Sequence, residues 1–128
     1  MILSDVQRAI RDTVREMAQE RIRPHSARFA EDGGYPRQLF EDLAQLGLMG
    51  MTAPEHAGGA AADYVSYALA LIEIAAADGA LSTIVSIQNS IMVAGILKDG
   101  TPAQQARWLP ELTSGRMIGA FALTESDA

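Results

Sequence analysis

Two short stretches hold residues whose types and spacing could do chemistry. The first is STIVSIQNSIMVAGIL, Ser82 to Leu97. Ile84, Ile87 and Ile91 recur at i, i+3 and i+7, so on a helix they share one face. An apolar wall of that kind can line a slot for an aliphatic group. Ser86, Gln88, Asn89 and Ser90 interrupt the same run, and a polar group buried in an apolar helix needs a hydrogen-bond partner. The second stretch is FALTES, where an alternating run ends at the hydroxyl of Thr124. Each also has a plain reading. The isoleucines can be core, the polar side chains can bond neighbouring backbone, and Thr124 can make a turn at a strand end. The residues alone leave both readings open.

Other chemistries lack their residues. The chain has no cysteine, which excludes disulfides, thiol nucleophiles and thiolate metal sites. His25 and His56 are the two histidines, far apart in sequence, and make a metal site an unsupported expectation. The Gly33–Gly34 and Gly58–Gly59 pairs have no phosphate-loop spacing and no preceding strand, so they read as turns. No serine, histidine and aspartate combine in a context that supports a nucleophile. The acidic pairs 31–32 and 41–42 fall on polar helix faces.

The elements that must position these residues are mostly helical. Ser4 or Asp5 can cap a first helix whose apolar stripe is Val6, Ile10, Val14 and Met17, with Pro24 kinking or ending it. Pro36 opens a second helix with Leu39, Phe40, Leu43 and Leu46 inward, closed by Gly47 as the first residue past the cap. MTAPEHAGGAAAD is a loop. Asp63 caps a helix that is apolar nearly all round, which predicts a buried central element ending at Gly79. A further apolar helix spans about Ser82 to Leu97. TPAQ is a capping box, with Thr101 as N-cap and Gln104 at N3, and Pro110 should break or tighten the helix that follows. RMIGAFALT alternates as a strand over Met117–Thr124. The expected fold is all-α, a five- to six-helix orthogonal or up-down bundle. It ends in the first strand of a β-domain that is missing, because a single strand leaves its backbone groups unpaired. The expected division is 1–115 for the helical domain and 116–128 for the start of the truncated β-domain.

Composition agrees with a packed domain. Of 128 residues, 48% are hydrophobic and 20% charged, outside the range of disordered chains. The net charge of −6 argues against a nucleic-acid backbone as main partner. The six arginines of residues 1–30 alternate with acids at helical spacing and read as a solvated face. Asp5 in the opening MILSDVQRAIRD argues against a signal peptide. The apolar stretch Tyr64–Leu97 is interrupted by Glu73, Asp78 and Gly79, so that neither half is expected to span a membrane. The expected location is cytoplasmic.

The order of motifs resembles the N-terminal helical domain of the flavin-dependent acyl-CoA dehydrogenases over nearly the whole length. The resemblance rests on VREMAQERIRPHSARFAEDGGYPRQLFEDLAQLGLMGMTAPEHAGG, with the family's Pro-Glu-x-x-Gly-Gly loop. It continues through SIQNS and ILKDGTPAQQARWLPELTSG to IGAFALTE. It implies that FAD is the cofactor in the full-length protein, with Phe121, Leu123 and Thr124 along the flavin. It implies that Ile84, Ile87 and Ile91 line the slot for the tail of an acyl-CoA substrate. The implied reaction is α,β-dehydrogenation of the thioester, with SIQNS closer to the short- or branched-chain members. Electrons pass on to an electron-transferring flavoprotein, and the full-length protein is expected to be a homo-oligomer. The catalytic base is a glutamate of the family's C-terminal domain, so this chain supplies no catalytic residue and is expected to be inactive alone. Glu125 is not that base.

Two departures qualify the resemblance. His56 stands where the family often has an aromatic residue. Ser126 stands where it has proline, and the Gly-Ser-Asp that should follow is absent; truncation accounts for this better than a deletion making Ser126–Asp127 the motif's own pair. A flavin monooxygenase or nitroalkane oxidase on the same scaffold is the nearest alternative. A stand-alone helical interaction domain, with Ile84–Ile91 and the strand as partner surface, is the non-enzymatic one.

Overall fold

The computed structural model describes residues 2–126. Helix α1, Asp5–Met17, begins at Ser4, whose side chain accepts from the Gln7 N–H while Gln7 returns a bond to the Ser4 N–H. A π-turn, Ala18–Ile22, and a 3-10 turn, Arg23–His25, carry the chain around Pro24 into α2, Ser26–Asp32. Pro24 therefore redirects the helical path without ending it. Helix α3, Arg37–Gln45, uses Pro36 as its N-cap, one residue earlier in role than expected, and Gly47 follows its end at φ 75°. A folded loop with a 3-10 turn at Glu55–Ala57 leads to α4, Tyr64–Ala77, capped by Asp63 through the Ser66 N–H. Gly59 permits the fold of that loop, since a Cβ there would overlap the Ala53 carbonyl.

Asp78, not Gly79, separates α4 from α5. It has extended backbone at φ −156° and ψ 108°, and its carboxylate accepts from the Leu81 N–H to open α5, Gly79–Ile87. Gly79 is thus the first residue of the next helix. Helix α5 runs through a π-turn, Gln88–Val93, into α6, Ala94–Asp99, giving one body of 21 residues with mean hydropathy 1.6. This corrects the expectation that neither apolar half reaches membrane-spanning length. Its middle residues Gln88 and Asn89 are nevertheless buried and bonded to other segments, as a core helix requires. Helix α7, Pro102–Thr113, opens on the expected capping box of Thr101 and Gln104. It continues through Pro110, which removes one ladder donor but does not stop it.

Counted as continuous paths, the described residues form five helical bodies, which agrees with the all-α expectation. The strand does not form. Residues 118–125 carry no regular secondary structure and belong to no ladder among the described residues, where no neighbouring strand is present to accept or donate bonds. Asp127 and Ala128, the end of the expected second domain, lie outside the described residues.

Helix α1 packs on α4, and α4 packs on α5. One core joins Val14, Met17 and Ile22 to Leu39 and Leu43 of α3, Leu48 and Met49 of the loop, Ile74 of α4, and Leu81 and Val85 of α5. A smaller core joins Ala53, Ala57, Val93, Leu109 and Leu112. The π-turn Gln88–Val93 is where the long helix passes from the first core to the second. Two apolar patterns depart from the sequence reading. Val6, the first residue of the α1 stripe, is exposed, as the packed part of the stripe starts at Ile10. Helix α4 is central, packed between α1 and α5 with Ala70 and Ile74 fully buried, but it is not buried all round: Ile72 is 60% exposed and Tyr64 is also open.

Candidate functional site

The site is organised by the two polar residues at the start of the π-turn. Asn89 bonds in three directions. Its Nδ2 donates to the carbonyls of Leu48 and Val85, each at 2.8 Å, and its Oδ1 accepts from the Met51 N–H at 2.6 Å. Gln88 is fully buried. Its Nε2 donates to the Leu112 carbonyl at 2.8 Å and the Met117 carbonyl at 2.9 Å, and its Oε1 accepts from the Gly119 N–H at 2.9 Å. Asn89 thus holds the loop after α3, and Gln88 holds the segment after α7. Nearby, Ser90 donates back to the Ser86 carbonyl at 2.7 Å, and the Tyr67 hydroxyl lies 3.3 Å from the same oxygen. The expectation of bonds to neighbouring backbone fits Ser90 and one of the three bonds of Asn89, that to the Val85 carbonyl. Gln88 reaches backbone 24 to 31 positions away.

The three isoleucines lie along one helical body, Ile84 and Ile87 in α5 and Ile91 in the π-turn, and differ in exposure. Ile84 is half-buried against the first core, Ile87 is half-buried, and Ile91 is 38% exposed. The chain after α7 returns to this helix at Gly119, where a Cβ would overlap Met92. From there it leaves the domain. Phe121 is 58% and Leu123 70% exposed, and Thr124 is exposed too. Among the described residues, Ala120–Ser126 forms no hydrogen bond, so its N–H and C=O groups are open. The structure therefore brings the root of the segment to the isoleucine helix, while Phe121, Leu123 and Thr124 stand clear of it.

Two further polar centres fix the scaffold. Glu73, the acid that interrupts α4, is buried and takes a bidentate pair from Arg15 at 2.7 and 3.0 Å. That hydrogen bond and the charge of Glu73 raise the Arg15 pKa. So one arginine of the basic N-terminal face is a cross-helix partner rather than a solvated charge. Asp78 accepts from the Ser26 hydroxyl at 2.7 Å, the Tyr35 hydroxyl at 2.8 Å and the Leu81 N–H at 2.9 Å. Burial works to raise the Asp78 pKa, but the three donors outweigh it and hold it below the ordinary carboxylate value. Burial, reinforced by Asp78, pushes the Tyr35 pKa up to about 12. These groups tie α2, the 33–36 turn and the α4–α5 junction together. Among the described residues no cluster of three His, Cys, Asp or Glu could hold a metal ion.

A sequence signal for Gln88 existed: an amide inside an apolar helix needs bonds in three directions. Its partners could not be read, because they lie on backbone that only the fold brings near.

A family model for the acyl-CoA dehydrogenase N-terminal domain matches residues 4–116. The mitochondrial short-chain specific acyl-CoA dehydrogenase of Bos taurus is 35% identical over 123 residues, covering 96% of this chain and 30% of that protein. A crystal structure of glutaryl-CoA dehydrogenase from Mycobacterium smegmatis superposes with a TM-score of 0.91 at 43% identity, covering 99% of this chain and 33% of that one. Another glutaryl-CoA dehydrogenase structure from that organism, in complex with FADH2, also gives 0.91, at 35% identity over 98% of this chain and 32% of that one. The chain spans about a third of the length of these relatives. The fold, the motif order and the match over nearly all of the helical region agree: the chain belongs to the acyl-CoA dehydrogenase N-terminal domain family.

Proposed function

We propose that this chain is the N-terminal part of an FAD-dependent acyl-CoA dehydrogenase acting on short- or branched-chain acyl thioesters. On this reading residues 1–115 are the helical domain and 116–128 begin a β-domain. The observation that carries it is the open run Ala120–Ser126, which leaves the isoleucine helix with its backbone groups unbonded among the described residues. Backbone with unbonded N–H donors, flanked by exposed Phe121 and Leu123, fits the edge of a flavin ring. Phe121, Leu123 and Thr124 would hold that edge, with backbone donors stabilising negative charge as it develops. Bound FAD would supply the acceptor for the hydride from the substrate β-carbon. Ile84, Ile87 and Ile91 would line the acyl tail and exclude water from it. The α-proton leaves to a base outside this chain, and the electron pair passes to an electron-transferring flavoprotein.

The test uses the full-length protein. It should purify with flavin absorbance, and anaerobic butyryl-CoA or isovaleryl-CoA should bleach that absorbance. A protein that carries no flavin, or whose flavin no acyl-CoA reduces, would overturn the reading.

A further inference from the structure

We propose that Gln88 is a positioning residue that couples the isoleucine wall to the segment reading Phe121–Thr124, by fixing the path and register of that segment at Gly119. The proposal rests on the functional reading above and adds to it the residue that joins its two halves.

Three observations carry it. First, Gln88 spends both amide hydrogens and its carbonyl on backbone that is not helical with it, the Leu112 and Met117 carbonyls and the Gly119 N–H. Each bond is of ordinary length and the Gln88 side chain is wholly buried; the bond to the Leu112 carbonyl is buried at both ends, and those to Met117 and Gly119 are part-buried. Second, Gly119 sits against the Met92 side chain so closely that any Cβ there would force Met92 to move. The segment is pressed against the π-turn where Gln88 bonds it. Third, nothing else among the described residues bonds the chain beyond this point. Gly119 is the last hydrogen-bonded position before Phe121.

The consequence follows from strand geometry. In the β-domain that the functional reading expects, this segment pairs as a strand, advancing about 3.3 Å per residue and alternating faces. A slip of one residue at Gly119 would exchange the faces presented by Phe121, Leu123 and Thr124. Gln88 lies one residue after Ile87 and three before Ile91, so the side chain that fixes the register is carried by the helix that forms the acyl wall. The π-turn serves the same end: its extra residue offsets α6 from α5 at the place where Gln88 must turn toward the returning chain.

The experiment compares full-length wild type with Gln88→Met, which keeps length and volume but removes all three bonds. Arg15→Ala serves as a destabilised control, because it breaks the ion pair to Glu73 in the α1–α4 contact and touches neither half of the site. Gln88→Met should raise amide exchange at Gly119 about ten-fold and the Kd for FAD about ten-fold, as expected for loss of an ordinary hydrogen-bond anchor. Arg15→Ala should lower the melting temperature and leave both quantities unchanged. If Gln88→Met does not fold, Gln88→Asn is measured instead, since it keeps a buried amide but withdraws it by one methylene from the Gly119 N–H, and the same two rises are expected. A variant that melts earlier but exchanges Gly119 and binds FAD as wild type does would overturn the role given to Gln88. A wild type that binds no FAD overturns the functional reading itself, and is recognised before any variant is compared.

Discussion

At the scale of the residue, position in the fold decides what a polar group does. Thr124 stands on open backbone, so its hydroxyl is free for a ligand. In the full-length protein Thr124→Ala should slow flavin reduction by acyl-CoA about ten-fold, of the order of one lost charge-assisted hydrogen bond; an unchanged rate in stopped-flow traces would remove Thr124 from the site. Asp78 has the opposite character, since its carboxylate is fully engaged with Ser26, Tyr35 and the Leu81 N–H. Its pKa is held down in the folded state. The stability this gives is present above the unfolded value of about 3.9 and is lost as pH falls below it, toward the folded pKa. Tyr35 has a raised pKa of about 12, so its contribution holds below about pH 10 and is lost as pH rises from there. Thermal melts across pH should therefore show an acid arm that Asp78→Asn flattens and an alkaline arm that Tyr35→Phe flattens. Arms of equal slope in the variants and the wild type would show that this cluster is not linked to folding.

At the scale of the element, caps and turns carry much of the local specification. The Thr101 hydroxyl accepts from the Gln104 N–H and the Gln104 side chain accepts from the Thr101 N–H, so two donors at the start of α7 are satisfied together. Thr101→Ala should destabilise the domain by about 1 kcal/mol, measured by urea denaturation; no loss would mean that the α7 start is held by its packing alone. Caps and turn glycines were legible because their partners are three residues away. Ser4, Asp63 and Thr101 all cap as their sequence contexts imply. Pro110 and Gly79 were misjudged for the converse reason. Both are weak helix residues, and what keeps them helical is the burial of Leu109 and Leu112 beside the first and the Asp78 cap before the second.

At the scale of the whole molecule, two apolar cores are joined by one long helix. Ile74 of α4 is fully buried where α1 and α5 meet it. Ile74→Ala should destabilise by about 2–5 kcal/mol, the range for a cavity in a well-packed core, and calorimetry would show it. A loss well under 1 kcal/mol would mean that the neighbouring helices collapse into the space. The exposed apolar residues Tyr64, Ile72, Phe121 and Leu123 lie outside both cores. They show that hydropathy alone does not assign burial, since α4 is apolar on faces to which these helices bring no partner.

By itself the sequence determined the helical class, the stripe Ile10–Val14–Met17, the inward residues Leu39, Phe40 and Leu43 of α3 (Leu46, also expected inward, is exposed past the helix end) and the capping of three helices. All of these depend on spacings of a few residues, which the chain carries locally. Only the tertiary structure decided that 117–125 forms no strand among the described residues, because pairing needs a neighbour. It also decided that Arg15 meets Glu73, that Asp78 gathers Ser26 and Tyr35, and that Gln88 holds Gly119. Those contacts join residues 31 to 58 positions apart, and only packing sets which such groups meet.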